Sequence, residues 1–342
     1  MNTMKVINVT KPFELSINDI PNYEIEKDDD VIIKVQYGGI CGSDIGIYTG
    51  ANSLAKYPII IGHEFVGRVE KVGQAVKHVK VGDFVVSDIV NSCGHCYACR
   101  TGHHNVCKNL NVTGVHVNGG FAEYAKVRSE NVYFVDTDKI SEKTACLIEP
   151  YAVGVEINTR ADVKAGDKVV VFGSGPAGLA AMQVAVARGA EVLITDVFDE
   201  RLALAREMGA TNAINVKEHS LHEAVAAFTE NEGAHVVIDA VCSPQSILDA
   251  LDIVAPSGRF VVLGTGATPS EIPQVAFTKK GINVFGTRLN NKRFPEVIEL
   301  FEQGKVTPEK MITHTCKFTD IEKAFDVIKN EKNTVCKVLL EW

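Results

Sequence analysis

The chain has 342 residues, 46 % apolar and 23 % charged, an ordinary balance for a globular protein long enough to need two hydrophobic cores. Its 35 basic and 43 acidic residues give a formal charge of −8 with no basic run, which excludes the clustered Lys and Arg that a nucleic-acid partner requires. Met1–Lys5 leads into no apolar stretch with a small-residue cleavage site, and four of nine cysteines crowd between Cys93 and Cys107; both point to a reduced, cytoplasmic chain with thiolate–metal bonds rather than disulfides.

The first 150 residues or so predict short strands and turns. Val31–Tyr37, Val66–Val72 and Phe84–Val86 are rich in β-branched or aromatic residues and bounded by Gly and Asp. After Glu149-Pro150 the character changes to alternating strands and helices. Lys168–Phe172 predicts a strand, Leu179–Arg188 a helix, Glu191–Thr195 a strand, and Arg201–Met208 a helix closed by Gly209. His235–Asp239, a helix near Gln245–Val254, Arg259–Leu263 and Ile282–Phe285 continue the pattern, which implies a parallel sheet covered by helices on both faces. The tail predicts helices over Phe294–Gln303 and Ile321–Asn330 and a strand over Cys336–Leu340. The uncharged stretch Val169–Ala187 has nearly the length of a membrane span, but Gly173, Gly175, Pro176 and Gly178 interrupt it; strand, turn and buried helix account for it without a membrane.

Gly173-Ser174-Gly175-Pro176-Ala177-Gly178 follows a strand and opens a helix, the context in which GxGxxG binds a dinucleotide. The first Gly permits the tight turn, the second lets the backbone approach a pyrophosphate, and the third lets helix and strand pack closely. The free N–H groups of the helix N-terminus attract the phosphates. Asp196 ends the next strand, where its carboxylate can accept from both adenosine ribose hydroxyls and repel a 2′-phosphate, favouring NAD over NADP. Arg201 is the opposing signal, as a phosphate ligand, although its helical position suits a structural or adenine-stacking role.

Cys93-x2-Cys96-x2-Cys99-x7-Cys107 has the composition of a closed tetrahedral zinc site without an open position. A second set is dispersed: Cys41 in Gly39-Ile40-Cys41-Gly42-Ser43-Asp44, His63-Glu64 after Gly62, and Glu149 before Pro150. Singly, each has an ordinary structural explanation.

Together, these motifs resemble a family. Gly62-His63-Glu64-x2-Gly67-x5-Gly73-x2-Val76 is similar to the signature of the zinc-containing alcohol dehydrogenases of the medium-chain superfamily, and the cysteine lobe and glycine fingerprint follow in that family's order. Glu149 in Ile148-Glu149-Pro150 resembles the sorbitol and threonine dehydrogenase branch. Ala55–Pro58, Gly114–His116, Gly119–Phe121 and Arg288–Pro295 resemble its bacterial starvation-sensing dehydrogenases and L-galactonate oxidoreductases.

The resemblance implies an α/β protein with a GroES-like, β-rich catalytic domain (1–149 and 284–342, with a zinc lobe at about 90–110) and a doubly wound Rossmann domain (150–283). It implies two zinc ions per chain and NAD(H). Cys41, His63 and Glu149 would hold a catalytic zinc, with Glu64 beside it as a possible further ligand and Ser43 relaying the hydroxyl proton. Gly264 joins the nucleotide contacts. Gly46 stands where many relatives have the relay His, which leaves Asp44, water or the ribose as the exit. Tyr48, Asn52, Arg288 and Asn290 are the substrate candidates, and Lys292 and Arg293 add positive charge. The expected activity is oxidation of a secondary hydroxyl in a small polyhydroxy compound. A sugar acid such as L-galactonate or L-gulonate comes first, with a neutral polyol or threonine as alternatives, and a homo-oligomer, dimer or tetramer, is expected. A non-catalytic NAD-binding sensor is the rival from another class, set against the intact Cys41, His63 and Glu149.

Overall fold

The structure, a computed structural model, describes residues 2–264 and 268–342. It divides into two compact units. One comprises Met1–Glu149, Phe294–Glu302 and Met311–Trp342; the other comprises Pro150–Arg293 and Gln303–Lys310.

The first unit is β-rich. Its larger sheet runs in the order Val132–Phe134, Phe84–Ser87, Glu64–Val72, Asp30–Ile40, Lys337–Glu341 and Ile312–Lys317, with Tyr124–Arg128 also paired to Asp30–Ile40. Val31, Ile33 and Val35 alternate along the long strand and pack with Phe65, Val69 and Val85, the period-two pattern of a strand with one face in a core. The edge strand Ile312–Lys317 runs parallel to Lys337–Glu341, which pairs antiparallel with Asp30–Ile40 so that Leu339 faces Gly39. On the other side of Asp30–Ile40, Glu64 faces Gly39. Three consecutive strands therefore bring residues 64, 39 and 339 into one row.

The second unit is a parallel sheet of six strands among the described residues. Numbered from Lys168–Phe172 in chain order, they lie 3-2-1-4-5-6. This doubly wound order reverses direction beside the first strand, where the glycine turn emerges. Val169–Val171, Val192–Ile194 and Val236–Ile238 are buried, as expected of strands covered on both faces. The segment Val169–Ala187 resolves into the end of that strand, the turn, and the helix Pro176–Ala187. Among the described residues, no helix is long and apolar enough to cross a membrane.

The return to the first unit differs from the expected position 284. Asn283–Gly286 is the sixth strand of the parallel sheet, in register with Arg259–Val262, so its ladder hydrogen bonds keep it in the second unit and the change comes after Arg293. Gln303–Lys310 also belongs to the second unit, because Gln183 Nε2 donates to Thr307 Oγ1 (2.7 Å) and Thr307 N donates to Gln183 Oε1 (3.1 Å).

Candidate active site

Cys41 caps the helix Gly42–Thr49. Its own N–H donates to Asp44 Oδ2 (2.9 Å) three residues on, a reciprocal cap that fixes the loop. Asp44 is fully buried; its Oδ1 accepts from Gly62 N (3.2 Å) and stands 3.4 Å from His63 Nδ1. One carboxylate thus ties the Cys41 loop to the Gly62-His63 loop, and Nε2 of His63 lies 3.4 Å from Ser43 Oγ. Burial works against an imidazolium at His63, but the charges of Asp44 and Cys41 overcome it and raise its pKa well above the usual value. Both oxygens of Asp44 are engaged on the protein, Oδ2 by Cys41 N and Oδ1 by Gly62 N.

The sulfur of Cys41, a nitrogen of His63 and a carboxylate oxygen of Glu64 lie within 4.8 Å of one another. Glu149, in the first turn of the helix Ile148–Arg160, is buried beside this set without joining it. Burial pushes its carboxyl up to about 8; Glu64 and Asp88 add to the rise, while His63 and Lys337 oppose it. Among the described residues no ion pair neutralises Glu149. A thiol, an imidazole and a buried carboxyl lacking a cation form a donor set that suits a divalent ion with one position left open.

Lys337 escaped the sequence reading. Its Nζ donates to both oxygens of Glu64, each at 2.7 Å, and both side chains are buried. Its signal was a single charge within the strand predicted over Cys336–Leu340. Gly39 makes the contact possible: a Cβ there would stand 2.3 Å from Glu64 Oε2.

The sulfurs of Cys93, Cys96, Cys99 and Cys107 all lie within 4.8 Å of one another, with Cys96 at 3.5 Å from Cys99 and 3.9 Å from Cys107. Four thiolates around zinc at ~2.3 Å stand about 3.8 Å apart, so the lobe already has nearly that spacing. Backbone N–H groups of Cys99 and Lys108 bring Cys96 down to about 6, while burial raises Cys107 to about 11.

In the second unit, Gly173 (φ 90°) turns the chain out of the first strand, and Pro176 takes the first helical position behind Gly175. A Cβ on Gly178 would stand 1.9 Å from Gly173 O, so helix and strand approach closely only with glycine there. A cavity of about 600 Å³ opens beside the turn, lined by Gly173, Gly175, Asp196, Phe198, Arg201 and Val241 among others. Pro176, Ala177, Gly178 and Gly264 do not line it; Gly264 N instead donates to Cys242 Sγ (2.8 Å).

Asp196 already has partners on both carboxylate oxygens. Its Oδ2 accepts from Ser174 N and Ser174 Oγ, both at 2.8 Å, and its Oδ1 from Val197 N (2.7 Å) and Phe198 N (3.2 Å). A carboxylate offers about four lone-pair sites, so a ribose hydroxyl must compete with Ser174 for Asp196. Arg201 stands 3.9 Å from Asp196 Oδ2 and over the Phe198 ring, which gives it a structural partner.

Of the substrate candidates, Asn52 accepts from Leu54 N in its own turn, and Tyr48 packs on Phe13 and Phe325. Asn290 is buried, with Oδ1 facing Arg293 N at 3.5 Å. Arg293 Nε bonds buried Glu156 at 2.8 Å, which makes it an anchor for the segment rather than a substrate cation.

The family models match accordingly: an alcohol dehydrogenase GroES-like domain over residues 27–137 and a zinc-binding dehydrogenase domain over 176–303. Across 99 % of both chains, the sequence is 40 % identical to the starvation-sensing protein RspB of Escherichia coli K12. The chain belongs to the zinc-type alcohol dehydrogenase family. It is 31 % identical to the sorbitol dehydrogenase of Bacillus subtilis over 98 % of this chain and 97 % of that one. The crystal structure of RspB from E. coli CFT073 complexed with NADH superposes with a TM-score of 0.94 at 38 % identity, covering 99 % of each chain. The protein is thus a zinc-dependent oxidoreductase acting on CH–OH groups, with zinc and NAD(H) as cofactors.

Proposed function

We propose that this dehydrogenase oxidises a secondary hydroxyl of a small polyhydroxy compound, a sugar acid first and a neutral polyol second, with Cys41, His63 and Glu149 holding the catalytic zinc. The observation that carries this is the half-buried Cys41 thiol and buried His63 imidazole beside Glu149, a buried carboxyl with no cation of its own while neighbouring Glu64 has Lys337. When bound there, zinc would lower the pKa of a substrate hydroxyl and NAD would supply the hydride acceptor. Asp44 stands beside Nδ1 and Ser43 beside Nε2 of this imidazole, which supports Ser43 as the group that takes the hydroxyl's proton. Gly173, Gly175 and the N-terminus of the helix Pro176–Ala187, with Pro176, Ala177 and Gly178 in its first turn, hold the pyrophosphate, and Asp196 with Arg201 borders the adenosine. Cys93, Cys96, Cys99 and Cys107 hold a second, structural zinc.

A sugar-acid carboxylate is assigned to Arg288 on the likeness of Arg288–Pro295 to the L-galactonate oxidoreductases, while Glu156 holds Arg293. Zinc-loaded enzyme is offered a panel of aldonates and polyols with NAD, and NADH formation is read at 340 nm, a wavelength set by the reduced cofactor. An aldonate should give the highest kcat/KM, and Cys41→Ala or Glu149→Ala should abolish turnover while NADH still binds. Sorbitol or xylitol outperforming every aldonate would remove the sugar acid and leave the polyol. Near-normal kcat in either variant would remove the zinc assignment. A cytoplasmic dimer or tetramer is proposed with it on family likeness; a monomer in light scattering would refute that state.

A further inference from the structure

Two buried carboxylates border Cys41 and His63, and a catalytic ion with an open position takes only one of them. Proximity does not choose Glu149, because it is Glu64 whose oxygen lies within 4.8 Å of both the Cys41 sulfur and a His63 nitrogen. We infer that Lys337 is the positioning residue that makes the choice: by binding both oxygens of Glu64, it withholds that carboxylate from the metal and leaves Glu149 as the ligand. This rests on the assignment of Cys41 and His63 as ligands.

The physical basis is charge compensation. Zinc with one thiolate and one carboxylate is neutral, and Glu64 with Lys337 is neutral. In a dry interior each negative charge needs its own cation. Without the ammonium, the nearest cation for Glu64 is the metal. Its ligation would supply a fourth protein donor and close the position a substrate hydroxyl needs. The sheet builds this arrangement directly. Glu64 faces Gly39, Gly39 faces Leu339, and Lys337 lies two residues before Leu339 on the same face of its strand. The missing side chain at Gly39 is the gap across which Glu64 reaches Lys337. Lys337 Nζ also stands 3.4 Å from Ile40 O, which anchors the ammonium next to the Cys41 loop.

The test uses the full chain carrying both ions. Lys337→Met keeps the stem and removes the charge. Loss of the catalytic ion to excess chelator is followed with a metal indicator, and the cobalt-substituted site is read by its visible absorption. Lys337→Met should release the ion about tenfold more slowly and lower kcat by a similar factor, in the range typical of groups that support metal ligands. Its cobalt spectrum should differ from wild type. Lys337→Arg should keep the wild-type release rate, and Glu64→Gln added to Lys337→Met should restore it, because the competing donor leaves with the cation. If Lys337→Met does not accumulate as folded protein, Gly39→Ala tests the same point, since its Cβ forces Glu64 off Lys337 with no change of charge; slow release is again expected. Release as fast as wild type or faster, or slow release that Glu64→Gln leaves unchanged, overturns the role of Lys337. Cys41→Ala is the control: if it retains the chelatable ion, the ligand assignment falls instead.

Discussion

Asp196→Ala is an informative single perturbation, because it separates two roles for one carboxylate. Sequence position makes Asp196 a ribose acceptor, whereas the structure makes it a clamp for the glycine turn. Both oxygens face backbone N–H groups, Ser174 on one side and Val197 and Phe198 on the other. An amide can still turn its oxygen to Ser174 and its amino group to the more exposed Val197 and Phe198, whereas alanine leaves both donors of Ser174, 1 % exposed, without their acceptor. Hydrogen bonds to a charged acceptor are worth about 1.5–3 kcal/mol each, so losing both Ser174 bonds in Asp196→Ala should cost about 3–6 kcal/mol. Ser174→Ala, which removes one, should cost about half of that. The assay is urea unfolding of zinc-loaded, NAD-free protein followed by far-UV circular dichroism; leaving NAD out removes its own stabilisation of the fold. Trp342 fluorescence would not serve, because the single tryptophan lies in the other unit. Asp196→Ala should rank below Ser174→Ala. Asp196→Ala within about 1 kcal/mol of wild type, with NAD affinity lost, would show that the carboxylate is a ribose acceptor and not a clamp.

Cys99→Ser should lower the zinc content from two ions to one and shift the unfolding midpoint downward, since an incomplete thiolate site loses metal-linked folding energy; unchanged zinc content would refute the lobe assignment. Arg293→Ala leaves Glu156 buried and unpaired and should cost about 3–5 kcal/mol in the same urea assay, while Arg293→Lys leaves the ratio of aldonate to polyol KM unchanged. Arg288→Ala should raise KM for an aldonate far more than for a polyol of equal length, and equal effects would remove it from carboxylate binding. In metal-stripped protein Glu149 titrates near 8, against roughly 4.3 in an unfolded chain. A raised carboxyl gives stability that is complete below the unfolded value and is lost as pH rises through the folded one. Apo stability should therefore decline from about pH 4 to 8, and Glu149→Gln should flatten that window; an unchanged slope refutes the buried, unpaired carboxyl.

The cysteine lobe and the glycine turn were legible because each is local. Four cysteines within fifteen residues, or three glycines within six, carry their geometry in their spacing, and the chain between them is too short to arrange them otherwise. The alternation of strands and helices after Pro150 was legible for a related reason, since buried parallel strands read as continuous apolar runs. Resemblance, not spacing, was needed to connect Cys41, His63 and Glu149, which lie far apart in the chain.

By itself, then, the sequence determined the alternation of strands and helices after Pro150, which cysteines cluster, and where a glycine turn opens a helix. Only tertiary structure decided which buried charges pair. Lys337 is 273 residues from Glu64, Arg293 is 137 from Glu156, and Ser174 meets Asp196 only through adjacent parallel strands. Pairing in a low-dielectric interior depends on distances of a few ångströms set by strand register and by the side chain absent at Gly39, and no local pattern of residues encodes those distances.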